Sequence, residues 1–252
     1  AMGRERRRFV TVVTDMVSTH AAWFNPRADL VIVPTEQAKE RALAMGLVPD
    51  QVRVVGMPVA EKFTSATGSR DELRAEFGWP QNQPVVLLVG GGDGMGPLGQ
   101  SVKAIDAVGL PVHLAVVCGR NLKLRADLEA HNLRLSHSLY GFVREMPEMM
   151  RAADVIVTKA GPGTISEAFI AGLPIILYSR LPGQEDGNVS YVVDEGAGVW
   201  APEPAQVVST LSGWLANPAA REQVAAASSR LARPKATRQI ARLLAEQVGL
   251  TE

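Results

Sequence analysis

The run Thr158-Lys159-Ala160-Gly161-Pro162-Gly163-Thr164-Ile165-Ser166-Glu167 lies between an apolar stretch, Val155–Val157, and a helical pattern, Ala168–Ala171. A strand that ends in a glycine-rich turn and opens a helix aims unpaired backbone N–H groups and the positive helix end at one point, which suits a phosphate. Glu167, just past the turn, is placed to accept the hydroxyls of a sugar beside that phosphate through charge-assisted bonds. Further on, Pro182-Gly183-Gln184-Glu185-Asp186-Gly187-Asn188 is a loop dense in side chains that hydrogen-bond hydroxyls. Phosphate, ribose and hexose contacts in one region are the ingredients of a nucleotide-sugar site.

Each of these features also has a structural reading. Thr164-Ile165-Ser166-Glu167 has the form of a capping box, with Thr164 as cap and Glu167 closing it. Gly141-Phe142-Val143, at the end of a short strand, could lay Phe142 over a flat base or hold it as a core aromatic. Gly90-Gly91-Gly92-Asp93-Gly94-Met95-Gly96-Pro97 carries five glycines in seven residues, more than one tight turn requires, and would let a ligand or a second domain approach bare backbone. A nicotinamide or flavin site competes for that loop. Its glycines fit no register of G-x-G-x-x-G, however, and the next strand end, Cys118-Gly119-Arg120, offers no carboxylate for a ribose. Asp15 and His20 could support proton transfer, but no nucleophile accompanies them. No set of His, Cys, Asp or Glu has metal-ligand spacing.

The elements that must position these groups alternate. Phe9–Thr14, Leu30–Pro34 and Val52–Val55 read as strands, with a helix from Glu36 to Met45. A break rich in Gly, Pro, Thr and Ser follows, and Val59–Ser69 reads as an interdomain linker. Ser69-Arg70-Asp71-Glu72 is a capping box. Strands at Val85–Val89, Val112–Val117, Ser136–Tyr140, Val155–Val157 and Ile175–Leu177 then alternate with helices, of which Ile165–Ala171 and Val189–Glu195 follow the two polar loops. This predicts a doubly wound α/β domain over residues 70–252 with terminal helices, preceded by part of another domain over residues 1–58.

The bulk numbers agree with an ordinary globular chain: 252 residues, 46% of them apolar. Acidic and basic residues balance at 26 each, which gives no long-range field for nucleic acid. The single cysteine, Cys118, fits a reducing compartment. No apolar run is long enough to span a bilayer and no signal peptide is visible. Ala1-Met2-Gly3 reads as a cloning remnant. The arginines Arg4, Arg6, Arg7 and Arg8 read better as a solvated end than as a contact to anionic lipid.

Taken together, Gly90–Pro97, Val117-Cys118-Gly119-Arg120-Asn121, Gly141-Phe142-Val143, Thr158–Ile165 and Pro182–Val189 resemble the monogalactosyldiacylglycerol synthase family. Thr14-Asp15…His20…Trp23-Phe24, Gly56-Met57-Pro58-Val59 and Leu231-Ala232-Arg233-Pro234 extend the resemblance over most of the chain. More distantly, the chain is similar to bacterial diacylglycerol glucosyltransferases and the lipid II N-acetylglucosaminyltransferase. The resemblance implies a GT-B glycosyltransferase fold, a Rossmann-like donor domain with a remnant of the amino-terminal acceptor domain. It implies inverting transfer of galactose from UDP-galactose to diacylglycerol, with no cofactor and no metal at the pyrophosphate. Carried over by position, Phe142 and Val143 would contact uracil, Glu167 the ribose, Gly163, Thr164 and Ile165 the pyrophosphate, and Gln184, Glu185 and Asn188 the donor sugar. Gly91, Gly92, Asp93, Gly94, Arg120 and Gly161 complete the expected donor-binding set, and His20 and Trp23 fall on the acceptor side. The implied setting is an anionic membrane surface on the cytoplasmic face, or the bacterial cytoplasm for a fragment. The family's candidate base lies in a glycine-rich loop with a histidine that has no counterpart here, so a truncated chain that binds UDP without transferring is expected. The donor subunit of a split transferase, and a UDP-glucose- or UDP-GlcNAc-dependent lipid glycosyltransferase, remain alternatives.

Overall fold

In the computed structural model, which describes residues 7–90 and 97–250, the chain builds two parallel sheets. The smaller holds β1 (Val10–Val12), β2 (Leu30–Val33) and β3 (Val52–Val54) in the order β1-β2-β3. Leu30 to Val33 alternate between its two faces and all four are buried. On one face Val31 and Val33 pack against Ala38 and Ala42 of helix α1 (Glu36–Ala44). That helix is started by Thr35, whose Oγ1 accepts from the Ala38 N–H at 3.1 Å.

The segment expected to be a bare linker is more structured than that. It contains α2 (Lys62–Ser65), which packs against two helices of the larger unit. It is also pinned by the last helix: the Val59 N–H donates to Thr237 Oγ1 at 2.9 Å, and that hydroxyl donates back to the Val59 carbonyl at 2.6 Å. The break-forming residues gave no periodic pattern to reveal a one-turn helix whose stability is tertiary. Next comes α3 (Arg70–Phe77), opened by the expected capping box: Ser69 and Glu72 exchange bonds at 3.3 and 2.8 Å.

The larger unit continues with β4 (Val85–Val89), α4 (Leu98–Val108), β5 (His113–Val117), α5 (Leu122–His131), β6 (His137–Tyr140), α6 (Met146–Ala152), β7 (Val155–Lys159), α7 (Pro162–Ala171), β8 (Ile175–Ser179), α8 (Asp186–Asp194) and β9 (Gly198–Trp200). Its strand order is β6-β5-β4-β7-β8-β9, all parallel. All five residues of β4 are buried, as its unbroken apolar run requires of a central strand covered on both faces. Val85, Leu87 and Val89 face one core with Ile165 and Phe169; Val86 and Leu88 face the other with Leu98 and Ile105. Helices α9 (Pro204–Ala216), α10 (Pro218–Leu231) and α11 (Ala236–Gln247) complete the chain. Through Ile240, with Leu243 beside it, α11 covers the free face of the small sheet at Leu30 and Ile32.

From β4 the chain winds one way to β5 and β6, then returns to β7 on the other side of β4 and winds outward. The order therefore reverses between β4 and β7, and sheets of this kind bind ligands in the crevice outside the carboxyl ends of the strands at such a reversal.

Candidate nucleotide-sugar site

Helix α7 starts in that crevice, three residues earlier than Ile165, where the periodic pattern placed it. Gly161 is its N-cap and makes no side-chain capping bond; Pro162 is the first helical residue, a position that suits its fixed φ and missing N–H. The capping box expected at Thr164 and Glu167 therefore does not form, because Thr164 already lies inside the first turn. The Ile165 N–H bonds the Gly161 carbonyl at 3.1 Å, so it is not one of the open donors. The amides left for an anion are those of Gly163 and Thr164. A Cβ built on Gly163 meets nothing within 4 Å, so the backbone there faces open space.

Glu167 stands one turn along on the face of Gly163 and Thr164. Burial pushes its carboxyl up to about 7, against the opposing pull of the Lys62 ammonium. Lys62 comes from α2 and donates to the Arg144 carbonyl at 3.0 Å, which ties α2 to the loop before α6. Sequence reasoning missed this lysine, since only tertiary packing brings α2 onto α6 and α7.

Beyond β5 and β6, Arg120 and Phe142 are brought together, with the guanidinium 5.3 Å from the ring centroid. Phe142 is 61% exposed, which rules out the core-aromatic reading, whereas Val143 is partly buried against the main core. The β6 loop lies three strand spacings, about 14 Å, from β7, a span suited to a base at one end and a diphosphate at the other. Gly91, Gly92, Asp93 and Gly94 lie outside the described residues.

The polar loop after β8 is shorter than its sequence suggested, because α8 begins at Asp186 rather than Val189. This turns two of its three candidate sugar ligands inward. Glu185 is buried; it accepts from the Leu181 N–H at 2.7 Å and lies 3.6 Å from Lys159 Nζ. Asn188 is fully buried, and its Nδ2 donates to the Ala160 carbonyl at 2.9 Å. Gln184 remains exposed. The loop is braced from outside by Arg180, which pairs with Asp186 and lies 5.0 Å from the Trp200 ring centroid.

The amino-terminal segment reaches this site directly. Met16 is buried in the core of the large unit, and the Ser18 hydroxyl accepts from the Gly187 N–H at 2.6 Å. A side chain at Gly187 would run into Ser18 Oγ and come within 2.8 Å of Val17 Cβ, so only glycine permits this approach. Burial raises the Asp15 carboxyl above the usual range, opposed by the nearby polar groups of Asn188 and Met16 and aided by the Glu185 charge. The Asp15–His20 pairing considered from sequence is not formed. His20 is exposed, and its Nδ1 accepts from the Ala22 N–H at 3.2 Å to cap a short 3-10 turn that ends at the exposed Trp23.

A Rossmann-like donor domain facing part of a second parallel unit is the arrangement of GT-B glycosyltransferases, and solved structures share it. The S. aureus MnaA–UDP co-structure superposes with a TM-score of 0.75 at 15% identity, covering 97% of this chain and 70% of that one. Anabaena HepE in complex with UDP-glucose gives 0.61 at 17% identity, with 95% and 72% covered. The family model for the glycosyltransferase family 28 C-terminal domain matches residues 85–242, and that for monogalactosyldiacylglycerol (MGDG) synthase matches residues 3–59. The chain belongs to glycosyltransferase family 28. It is similar to the probable MGDG synthase of Glycine max, 41% identical over 249 residues, covering 95% of this chain and 47% of that protein. It is likewise similar to MGDG synthase 2 of Arabidopsis thaliana, 41% identical over 241 residues, with 92% and 52% covered. The chain thus spans about half the length of the curated relatives it matches.

Proposed function

We propose that this chain is the donor-binding half of an inverting glycosyltransferase that moves galactose from a UDP-sugar to diacylglycerol. The observation that carries this reading is the start of α7: open amides at Gly163 and Thr164, with Glu167 one turn along on the same face, beside the crevice between β4 and β7. A diphosphate suits the amides and a ribose suits the carboxylate. Relatives named MGDG synthase support the sugar and the acceptor, and the UDP and UDP-glucose complexes of similarly folded proteins support the nucleotide.

In the reaction the lipid hydroxyl attacks the anomeric carbon on the face opposite UDP. The bond from that carbon to the diphosphate oxygen breaks and its electron pair leaves with UDP. Negative charge grows on the leaving phosphate, where the amides of Gly163 and Thr164 and the positive end of α7 meet it. We assign no metal to this step and place the reaction at the cytoplasmic face of a membrane. The acceptor proton needs a base within hydrogen-bond reach, which we place in a part of the longer relatives that this chain does not span. Calorimetry with UDP, UDP-galactose and UDP-glucose tests the reading. All three bind, and UDP at a hundred times its Kd stabilises the fold by about 2.7 kcal/mol. An absence of heat with every uridine ligand overturns it.

A further inference from the structure

We propose that Lys159 is a further ligand of the donor diphosphate, its ammonium joining the open amides at the start of α7. Gly161, the N-cap, has the extended backbone usual at that position (φ −70°, ψ 130°) and no side chain to cap with. At an ordinary cap the side-chain oxygen leaves Cβ toward the N–H groups of the second and third helical residues, which here are Gly163 and Thr164. A Cβ built on Gly161 therefore marks the direction from which an anion reaches those amides. It would meet Lys159 Cε at 3.6 Å and Glu185 Oε1 at 3.7 Å. Lys159 Nζ, the next atom beyond Cε, lies 3.6 Å from Glu185 Oε1. An oxygen of the diphosphate takes the place of the missing cap oxygen, between the amides and the ammonium.

Two further features fit the lysine to this task. The regular register of β7 and β8 is lost between Thr158 and Lys159, so that Thr158 stands opposite Leu177 but Lys159 opposite Ser179. Irregularities of this kind re-aim side chains beside sites. The pairing with Glu185 is also lopsided, since 36% of the lysine side chain is exposed but only 7% of the glutamate's. Glu185 Oε2 accepts from the Leu181 N–H at 2.7 Å, which fixes the carboxylate from within. The ammonium has three N–H donors, of which the carboxylate needs one. A bare carboxylate this close to Gly161 would repel a diphosphate; the lysine cancels that charge and adds a bond of its own. As UDP departs, the same ammonium meets the charge that grows on its phosphate.

This inference rests on the nucleotide-binding reading above, and its test separates the two. UDP affinity is measured by calorimetry at low and high potassium chloride for the unsubstituted chain, Lys159→Met, Glu185→Gln and the double variant Lys159→Met/Glu185→Gln. The last two share the glutamine, so they differ by the ammonium alone and neither holds an unpaired buried carboxylate. The double variant is expected to bind UDP at least about tenfold more weakly than Glu185→Gln, the loss of one charge-assisted hydrogen bond. Its affinity should also fall less steeply as salt rises. Equal affinity in these two variants overturns the inference, since the lysine is then only the counter-ion of Glu185. So does a difference in affinity without a difference in salt dependence. Lys159→Met alone is expected to lose still more, because Glu185 then repels the diphosphate, and parental affinity in that variant overturns the inference by itself. If the unsubstituted chain binds no UDP, the nucleotide reading falls and takes the inference with it; if it binds UDP and the lysine variants match their lysine-containing counterparts, only the inference falls.

Discussion

Glu167 lies in the second turn of α7, on the face of the Gly163 and Thr164 amides. Its spacing from Thr164 mimicked a capping box, but Pro162 starts the helix early and leaves the carboxylate with no capping duty. Its raised pKa, about 7, has a definite sign. The folded chain holds this proton more tightly than the unfolded chain, so the stability it contributes is full below the unfolded value of 4.5 and is lost as pH rises through about 7. Glu167→Gln removes the charge, and its melting temperature is expected to exceed that of the parent above pH 7. Ribose binding favours the ionised form, so parental UDP affinity should climb between pH 5.5 and about 7. The glutamine variant should keep only the pH dependence that UDP itself brings, with affinity lower by about 1.5–3 kcal/mol at pH 8. Affinity that is unchanged by the substitution would remove Glu167 from the site. At Gln184, the exposed member of the polar loop, substitution by alanine is expected to weaken UDP-galactose more than UDP. Equal effects in paired titrations would show that this side chain does not touch the hexose.

At the scale of elements, what was legible was whatever local chemistry writes into a short window. The apolar run of β4 and the capping box of α3 appear where their residues placed them. The starts of α7 and α8 were set three residues late, because Pro162-Gly163 and Asp186-Gly187 look like turns when they are first turns of helices. The inward rotation of Glu185 and Asn188 follows from that shift and could not be seen without it. Nor were the place of Lys62 and the bond between Gly187 and Ser18 visible, since both are contacts between elements far apart in the chain. The same is true of the staple at the opposite end of the large sheet. Arg74 on α3 donates to the Ala152 carbonyl and to Asp154, which also accepts from the Val85 N–H at 2.7 Å. Arg74→Ala leaves a mostly buried carboxylate without its closest cation and is expected to cost about 3 kcal/mol in urea denaturation. UDP affinity of the folded protein should not change, because the staple lies at the amino ends of the strands.

On the scale of the whole molecule, the doubly wound order of the large sheet and its crevice could be anticipated from the alternation of strands and helices, but the way its partner unit is attached could not. The small sheet is held by Met16 entering the large core, by Val59 bonding Thr237, and by Ile240 closing its second face. That last contact has a consequence for biosynthesis. The side of β2 carrying Leu30 and Ile32 leaves the ribosome well before the helix that covers it, because the whole large sheet lies between them in the chain. Until then these apolar side chains stay open to wrong partners, and chaperone dependence should be greatest for ribosome-bound chains stalled just short of α11.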